Sequence, residues 1–209
     1  MRLLVIGATH GIGRQTIEQA LAAGHEVTGM ARRPEKMTLA DGRLTLVAGD
    51  ILDPVRVSEA VAGQEAVLVT IGIPPTWQPV TVFSQGIRNV LSAMAEHGVS
   101  RLLAVTGIGA GDSKGHGGFL YDRIFNPLLL KRIYEDKDRQ EAIIRQSQEQ
   151  WTIVRPGFLT NGPLTGTYRV ITDLTNITCG KISRADVAHF LLREAVANSY
   201  VHQTPLLMY

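Results

Sequence analysis

The chain has 209 residues, 44% of them hydrophobic, which is enough to bury one α/β core and too few for two domains of ordinary size. A formal net charge of +2, spread along the chain, excludes the concentrated basic surface of a nucleic-acid-binding protein or a membrane-surface protein. Cys179 is the single cysteine, which excludes an internal disulfide, and no apolar run reaches the roughly 20 residues that cross a bilayer. The chain starts with a predicted strand and not with a signal peptide, so we expect a cytoplasmic protein.

A glycine-rich turn joins the first predicted strand, residues 3–6, to a helix predicted to begin near Ile12. It reads Gly-Ala-Thr-His-Gly-Ile-Gly, and glycines in such a turn allow a sharp reversal, close approach of phosphates and tight helix packing. The helix would direct its unpaired N–H groups and the positive end of its dipole at an anion. The turn therefore predicts a dinucleotide site that includes Gly7, Thr9, His10, Gly11, Ile12 and Gly13.

Apolar runs then alternate with helical patterns, and most runs are continuously apolar, as in a parallel sheet covered on both faces. The predicted strands are residues 3–6, 26–30, 44–47, 66–71, 102–106 and 151–154, and a long fourth helix is predicted over residues 80–97, ending at Gly98. The pattern is typical of an α/β fold, a doubly wound parallel sheet of Rossmann type. We expect a single NAD(P)-binding domain over residues 1–209.

Arg32 and Arg33 follow the second predicted strand, where this fold places the adenosine ribose. NAD enzymes usually have a carboxylate there, whereas a guanidinium can bind a 2′-phosphate through paired hydrogen bonds. The two arginines therefore favour NADP(H) over NAD(H). Glu35 and Asp41 follow them and leave contact with a ribose 2′-hydroxyl as an alternative.

Two later turns complete the expected cofactor site. After the third strand, Asp50 can accept a hydrogen bond from the adenine amino group while Ile51 or Leu52 covers the ring, and Asp53 is expected to cap the next helix. After the fourth strand, Thr70, Ile71 and Gly72 would lie against the diphosphate or the nicotinamide ribose.

Residues 108–125 interrupt the alternation with five glycines among polar residues. Because ligands bind beyond the carboxyl ends of the strands, this segment is either a mobile substrate lid or a solvated connection. The sequence does not decide between the two.

Five segments of the chain resemble the atypical NAD(P)H-binding branch of the short-chain dehydrogenase/reductase superfamily. They are the initial glycine-rich turn and residues 49–54, 151–157, 162–168 and 182–188. That branch contains biliverdin-IXβ reductase-like flavin reductases, NADH-flavin reductases and NmrA-like proteins. The resemblance implies cofactor contacts from Thr106, Lys137, Pro156, Gly157 and Phe158. It also implies substrate-site elements near residues 108–125 and 157–182, with substrate contacts from Phe158, Tyr121 and Tyr134.

The chain departs from this family at the residues that carry acid–base chemistry. Lys137 matches the family's lysine, but Ile133 stands at the tyrosine position, and Tyr134 is displaced by one residue, about 100° around a helix. Gly107 stands at the serine position. The other charged residues of the helix around 131–145 are expected to form an exposed face of i,i+4 pairs.

His10 replaces a family glycine, and it either approaches the cofactor or substrate or is a solvated loop histidine. Phe158 either stacks on a planar acceptor or belongs to the core. The histidines show no paired spacing, so no metal site is expected.

Without an acid in register, we expect hydride transfer from the nicotinamide to a conjugated planar acceptor, such as a flavin or quinone, that delocalises its own negative charge. The alternative is a non-catalytic, NmrA-like redox sensor that binds NADP. Epimerase or dehydratase chemistry has less support because it depends on the missing tyrosine. We expect a monomer or small homo-oligomer.

Overall fold

The computed structural model describes residues 1–118 and 130–209. Its strands are β1 (Arg2–Ile6), β2 (Glu26–Ala31), β3 (Leu44–Ala48), β4 (Ala66–Val69), β5 (Arg101–Val105), β6 (Gln150–Pro156), β7 (Phe158–Thr160), β8 (Arg169–Ile171), β9 (Lys181–Ser183) and β10 (Leu206–Met208). Its α-helices are α1 (Gly11–Ala22), α2 (Pro54–Val61), α3 (Val82–His97), α4 (Lys131–Arg145) and α5 (Arg184–Ala197).

The described strands form a main sheet in the order β3-β2-β1-β4-β5-β6-β10-β8 and a small parallel pair, β7 with β9. The first six strands are all parallel, and only β8 runs antiparallel to its neighbour β10. Strand order reverses between β1 and β4, and ligands of open α/β sheets bind at such a switch point, beyond the carboxyl ends of the strands. The predicted doubly wound, Rossmann-like single domain is confirmed.

Helices cover both faces of the sheet, and β1 shows how the sequence specifies this. Leu3 and Val5 point into a core shared with α1 and α5, whereas Leu4 and Ile6 point into the opposite core, which includes residues of α2 and α3. All four side chains are buried. A strand with two buried faces must be apolar at every position, which is why the run does not alternate.

The local structure differs from the sequence-based expectation in a few places. The long helix is the third α-helix, because β2 and β3 are joined by only a single 3₁₀ turn, Pro34–Lys36. It begins at Val82 and ends at Gly98 in a left-handed conformation, as predicted for a glycine cap. Strands β7 to β10 were not predicted, since each has only three residues. Among the described helices, none is long and apolar enough to cross a membrane.

Candidate functional site

The predicted phosphate turn connects β1 to α1 and contains two positions, Gly7 and Gly13, where no side chain would fit. A β-carbon on Gly13 would lie 2.2 Å from the carbonyl oxygen of Gly7 and 2.6 Å from Oγ1 of Thr70. Gly7 has a φ of +93°, and a β-carbon there would lie 3.1 Å from the backbone of Ile71. The turn is therefore packed closely against the residues that follow β4, as a dinucleotide cradle requires.

The N-terminus of α1 is open to an anion. Among the described residues, no side chain caps it, and its first turn contains no acidic residue. Asp53 caps α2, as predicted, and Ser183 caps α5. His10 occupies the N-cap position of α1 but its Nδ1 lies 2.8 Å from Oγ1 of Thr9, and its side chain is exposed. The histidine therefore lies at the mouth of the turn and leaves the first N–H groups of α1 without a side-chain acceptor.

Arg32 and Arg33 are exposed beyond the carboxyl end of β2, and no carboxylate in the described residues pairs with either guanidinium. Nearby, Oδ1 of Asp50 accepts a hydrogen bond from the N–H of Leu52. Ile51 is buried, and Gly86 of α3 leaves the space that its side chain fills. Leu52, 42% exposed, is thus the side chain available to cover an adenine ring, whereas Ile51 can contribute only its backbone.

The turn after β4 lies beside this cradle. Thr70 donates its hydroxyl to the carbonyl oxygen of Ile6, which joins β4 to β1 at the switch point. A β-carbon on Gly72 would have no heavy atom of the described residues within 4 Å, so this backbone faces open space. Trp77 follows on the same segment with 73% of its surface exposed, although the sequence analysis did not select it.

Lys137 lies on α4 with its amine directed into the protein. Nζ donates a hydrogen bond of 2.5 Å to the carbonyl oxygen of Thr106 and lies 4.7 Å from the centre of the Phe83 ring. The side chain is 7% exposed, and burial lowers the pKa of Lys137 to about 8 against the opposing charges of Glu141 and Asp136. The contact of Lys137 with the cofactor stays a prediction, and in this structure its amine binds the backbone carbonyl of Thr106.

The hydroxyl of Tyr134 reaches the position that the family's serine would occupy. A β-carbon on Gly107 would lie 3.1 Å from Oη of Tyr134, and Gly107 has a φ of +143°. Ile133, at the tyrosine position of the family, is buried against Val80 and Phe83. The displacement of Tyr134 by one residue thus still brings a hydroxyl to the end of β5. Tyr121 lies outside the described residues.

A buried ion pair supports this end of the sheet. Arg155 of β6 donates to both carboxylate oxygens of Glu141, at 3.0 Å from Nε and 2.6 Å from Nη2. The same carboxylate accepts the hydroxyl of Thr106 at 2.8 Å. Nη2 of Arg155 also lies 2.6 Å from Oδ1 of Asp112. Burial would raise the pKa of Asp112, but the hydrogen bond and charge of Arg155 outweigh it and lower that pKa.

Two charged residues of α4 contradict the expectation of an exposed charged face. Glu141 is fully buried in the ion pair with Arg155, and Asp136 is fully buried against α3. The carboxylate of Asp136 accepts the N–H groups of Phe83 and Ser84, so it caps the N-terminus of α3 from another helix. These roles depend on tertiary partners that i,i+4 spacing does not reveal.

The described part of the segment after β5 is anchored rather than simply solvated. Ile108, Ala110 and Ser113 are buried, and the N–H of Gly111 donates to Oδ1 of Asp138 on α4. Residues 119–125 of the segment predicted as a lid lie outside the described residues. The anchored part brings the carboxyl end of β5 against α4.

Phe158 follows Pro156 and Gly157 at the carboxyl end of β6. A β-carbon on Gly157 would lie 2.3 Å from the carbonyl oxygen of Gly180, so this turn is also closely packed. Phe158 is half-buried against an apolar cluster that contains Ile108 and Cys179. Its ring thus packs against that cluster and retains an accessible part, and its stacking on a planar acceptor stays a prediction.

Sequence reasoning missed Arg155, Glu141, Asp136 and Arg184 as residues that shape the site. A charged residue at the end of the apolar run 151–154 was the available signal for Arg155, because an arginine is almost never fully buried without a partner. Arg184 belongs to the motif of residues 182–188, but which residues surround it depends on the fold.

Comparison with known proteins agrees with this architecture. The model of a family described as NAD(P)H-binding matches residues 7–198. ChuY from Escherichia coli CFT073 superposes with a TM-score of 0.81 at 27% identity, over 100% of this chain and 96% of that one. ChuY from E. coli O157:H7, described as an anaerobilin reductase, gives a TM-score of 0.82 at 25% identity, over 100% and 97%.

A relative from Bacillus subtilis (strain 168), the uncharacterized sugar epimerase YhfK, is 29% identical over 194 residues, which cover 90% of this chain and 85% of the relative. The match of the family model over nearly the whole chain agrees with the glycine cradle, the open N-terminus of α1 and the parallel sheet. This chain therefore belongs to the NAD(P)H-binding family of Rossmann-fold oxidoreductases.

Proposed function

We propose that the protein is an NADPH-dependent reductase of conjugated planar acceptors such as flavins, quinones or bilins. One observation carries the proposal. At the end of β5, Gly107 stands at the position of the family's serine, and the amine of Lys137 donates a hydrogen bond to the carbonyl oxygen of Thr106. The serine-tyrosine-lysine arrangement that protonates a simple ketone is therefore absent in its usual form. An acceptor that delocalises negative charge over its own ring system needs that proton less.

The residues of the site fit a nicotinamide dinucleotide. Gly7 and Gly13 form the cradle, the N–H groups at the start of α1 have no side-chain cap among the described residues, and Gly72 borders open space. Exposed Arg32 and Arg33 support binding of a 2′-phosphate and hence NADP(H) over NAD(H). When bound, the nicotinamide supplies the hydride.

The chain's own contribution is positioning. Tyr134 presents a hydroxyl beside Gly107, and the partly accessible ring of Phe158 offers an apolar surface at the carboxyl end of β6. Holding two reactants in register can supply much of a rate enhancement without an acid or base. The likeness to ChuY, described as an anaerobilin reductase, supports an acceptor of this conjugated kind.

The proposal is tested by mixing the protein with NADPH under anaerobic conditions and adding acceptors one at a time. The panel contains FMN, a benzoquinone, biliverdin and, as the matched control, an aliphatic ketone that cannot delocalise charge. We expect oxidation of NADPH with at least one conjugated acceptor and none with the ketone.

Two results would overturn the proposal. Turnover of the ketone alone would show that the site protonates an alkoxide after all. Tight binding of NADPH with no turnover of any acceptor, together with a partner protein captured differently by the NADP⁺ and NADPH forms, would favour the redox sensor.

A further inference from the structure

Arg184, the first residue of α5, lies against the phosphate turn. A β-carbon on Gly11 would lie 3.6 Å from both Cδ and Nε of Arg184. α1 and α5 pack side by side on one face of the sheet, and Gln19 of α1 donates to the carbonyl oxygen of Ala185. The guanidinium is thus fixed beside the point where α1 begins.

Within residues 1–118 and 130–209, one side-chain hydrogen bond orients this guanidinium. Nη1 of Arg184 donates a hydrogen bond of 2.8 Å to Oδ1 of Asn161, a neutral amide on the segment that follows β7. In the described residues no carboxylate lies within 4.0 Å of Arg184, whereas Arg14, on the next turn of α1, is paired with Glu18. Within the described residues, no carboxylate therefore offsets the charge of Arg184, and most of its five N–H donors are available.

Positive charge is concentrated where Arg184 lies beside the N-terminus of α1. The start of α1 carries N–H groups without a side-chain cap and has no acid in its first turn. A cation held against a positive helix terminus, with the neutral amide of Asn161 as its polar partner among the described residues, is arranged to bind an anion. Arg32 and Arg33, by contrast, follow β2, at the adenosine side of the switch point.

We propose that Arg184 binds the diphosphate of the dinucleotide from the α5 side of the turn and that Asn161 is the positioning residue for its guanidinium. The assignment rests on the dinucleotide site and does not require turnover. Because Asn161 follows Phe158 along the chain, the contact also joins the cofactor site to the segment expected to hold the acceptor.

Calorimetric titration without acceptor tests this assignment. NADP⁺ is the complete ligand, and adenosine 2′-monophosphate is the matched probe that lacks the diphosphate. Arg184→Met should weaken NADP⁺ binding by about 10- to 100-fold, the usual effect of losing a charged hydrogen-bond donor, and leave adenosine 2′-monophosphate within about twofold. Arg184→Lys should restore part of the loss, since it keeps the charge.

Asn161→Asp provides the test of positioning. The new carboxylate would pair with Arg184 and reduce its attraction for an anion, so NADP⁺ should bind more weakly while adenosine 2′-monophosphate does not change. Arg193→Met, on the exposed side of α5, is the control with the same loss of charge and should bind both ligands normally.

Unchanged NADP⁺ affinity in Arg184→Met would overturn the proposal, and so would equal weakening of both ligands. Unchanged NADP⁺ affinity together with weaker calorimetric binding of FMN, an anionic acceptor, would place Arg184 at the acceptor instead and also contradict the assignment. None of these results depends on whether the protein reduces any acceptor, so a failure here is distinct from a failure of the proposed reductase function.

Discussion

The hydroxyl of Tyr134 lies 3.1 Å from the position that a β-carbon would take on Gly107. The two departures from the family pattern are therefore one arrangement: the tyrosine is displaced along α4 by one residue, and the missing serine side chain leaves room for its hydroxyl. A residue larger than glycine at position 107 would crowd Oη, and the φ of +143° would strain it as well.

The contact predicts energetic coupling between the two positions. Gly107→Ala should lower the free energy of unfolding by about 1–3 kcal/mol, because alanine is strained at this backbone geometry and crowds the hydroxyl. Tyr134→Phe removes the hydroxyl, so the same alanine should cost about 0.5–1 kcal/mol less in that background. Urea unfolding of the four proteins of the double-mutant cycle measures this, and strict additivity would show that the contact has no energetic weight.

Tyr134 should assist the reaction without being its essential acid. In Tyr134→Phe we expect kcat for a conjugated acceptor to fall by less than about 10-fold, whereas loss of a general acid typically costs 10²–10⁴-fold. Steady-state kinetics measures kcat for both variants. The control is Tyr200→Phe, which removes the hydroxyl of a tyrosine packed against Phe190. A loss of about a thousandfold would mean that Tyr134 supplies the proton.

Because the amine of Lys137 is buried, the free energy of unfolding should rise with pH. Burial lowers its pKa from 10.5 to about 8 in the folded protein, so between those values the unfolded chain holds a proton that the folded protein lacks. Unfolding then takes up a proton, and the free energy of unfolding should increase through this interval by about 3 kcal/mol relative to Lys137→Met. Denaturant titrations from pH 7 to the alkaline side measure the difference, and Lys131→Met is the exposed control.

The buried pair of Glu141 and Arg155 should be costly to break. Among the described residues, Glu141→Gln leaves the buried guanidinium of Arg155 with the exposed Asp112 as its remaining charged partner, so we expect a loss of about 3–5 kcal/mol in the free energy of unfolding. Glu59→Gln removes the partner of Arg56 from an exposed pair and should change stability by at most about 1 kcal/mol. Equal effects of the two substitutions would contradict the role assigned to the buried pair.

Arg32 and Arg33 predict the cofactor preference. The double substitution of both by glutamine should weaken NADP⁺ binding by about 10-fold or more and leave NAD⁺ nearly unchanged, because only NADP⁺ carries the 2′-phosphate. Arg43→Gln, just before β3 and so at the amino ends of the strands, is the control. Calorimetry distinguishes the cases, and parallel weakening of both cofactors would place the arginines elsewhere than at the 2′-phosphate.

Much of the fold was predictable because its signals are local. The continuously apolar run of β1 and the glycines at 7, 11 and 13 specify a buried parallel strand, a tight turn and a helix start within a few residues. The strands of three residues, such as β7 and β10, were not predictable, because they are specified by sheet neighbours distant in sequence.

The candidate site likewise has parts that nearby residues specify and parts that depend on residues distant in sequence. The cradle and the cap formed by Asp53 follow from turn and helix chemistry, which neighbouring residues determine. The burial of Asp136 and Glu141 depends on α3 and β6, so helical periodicity predicted an exposed face that the fold does not have. The closeness of Tyr134 to Gly107 likewise depends on how α4 packs against the end of β5.

The proposed function requires that this chain position a nicotinamide for direct hydride transfer to a conjugated acceptor. The most direct measurement is the transient oxidation of NADPH in single turnover, compared with NADPH deuterated at each face of nicotinamide C4 in turn. We predict a slower transient with deuterium on one face only, the mark of hydride transfer within a defined geometry. Binding of NADPH with no transient for any conjugated acceptor would contradict the claim.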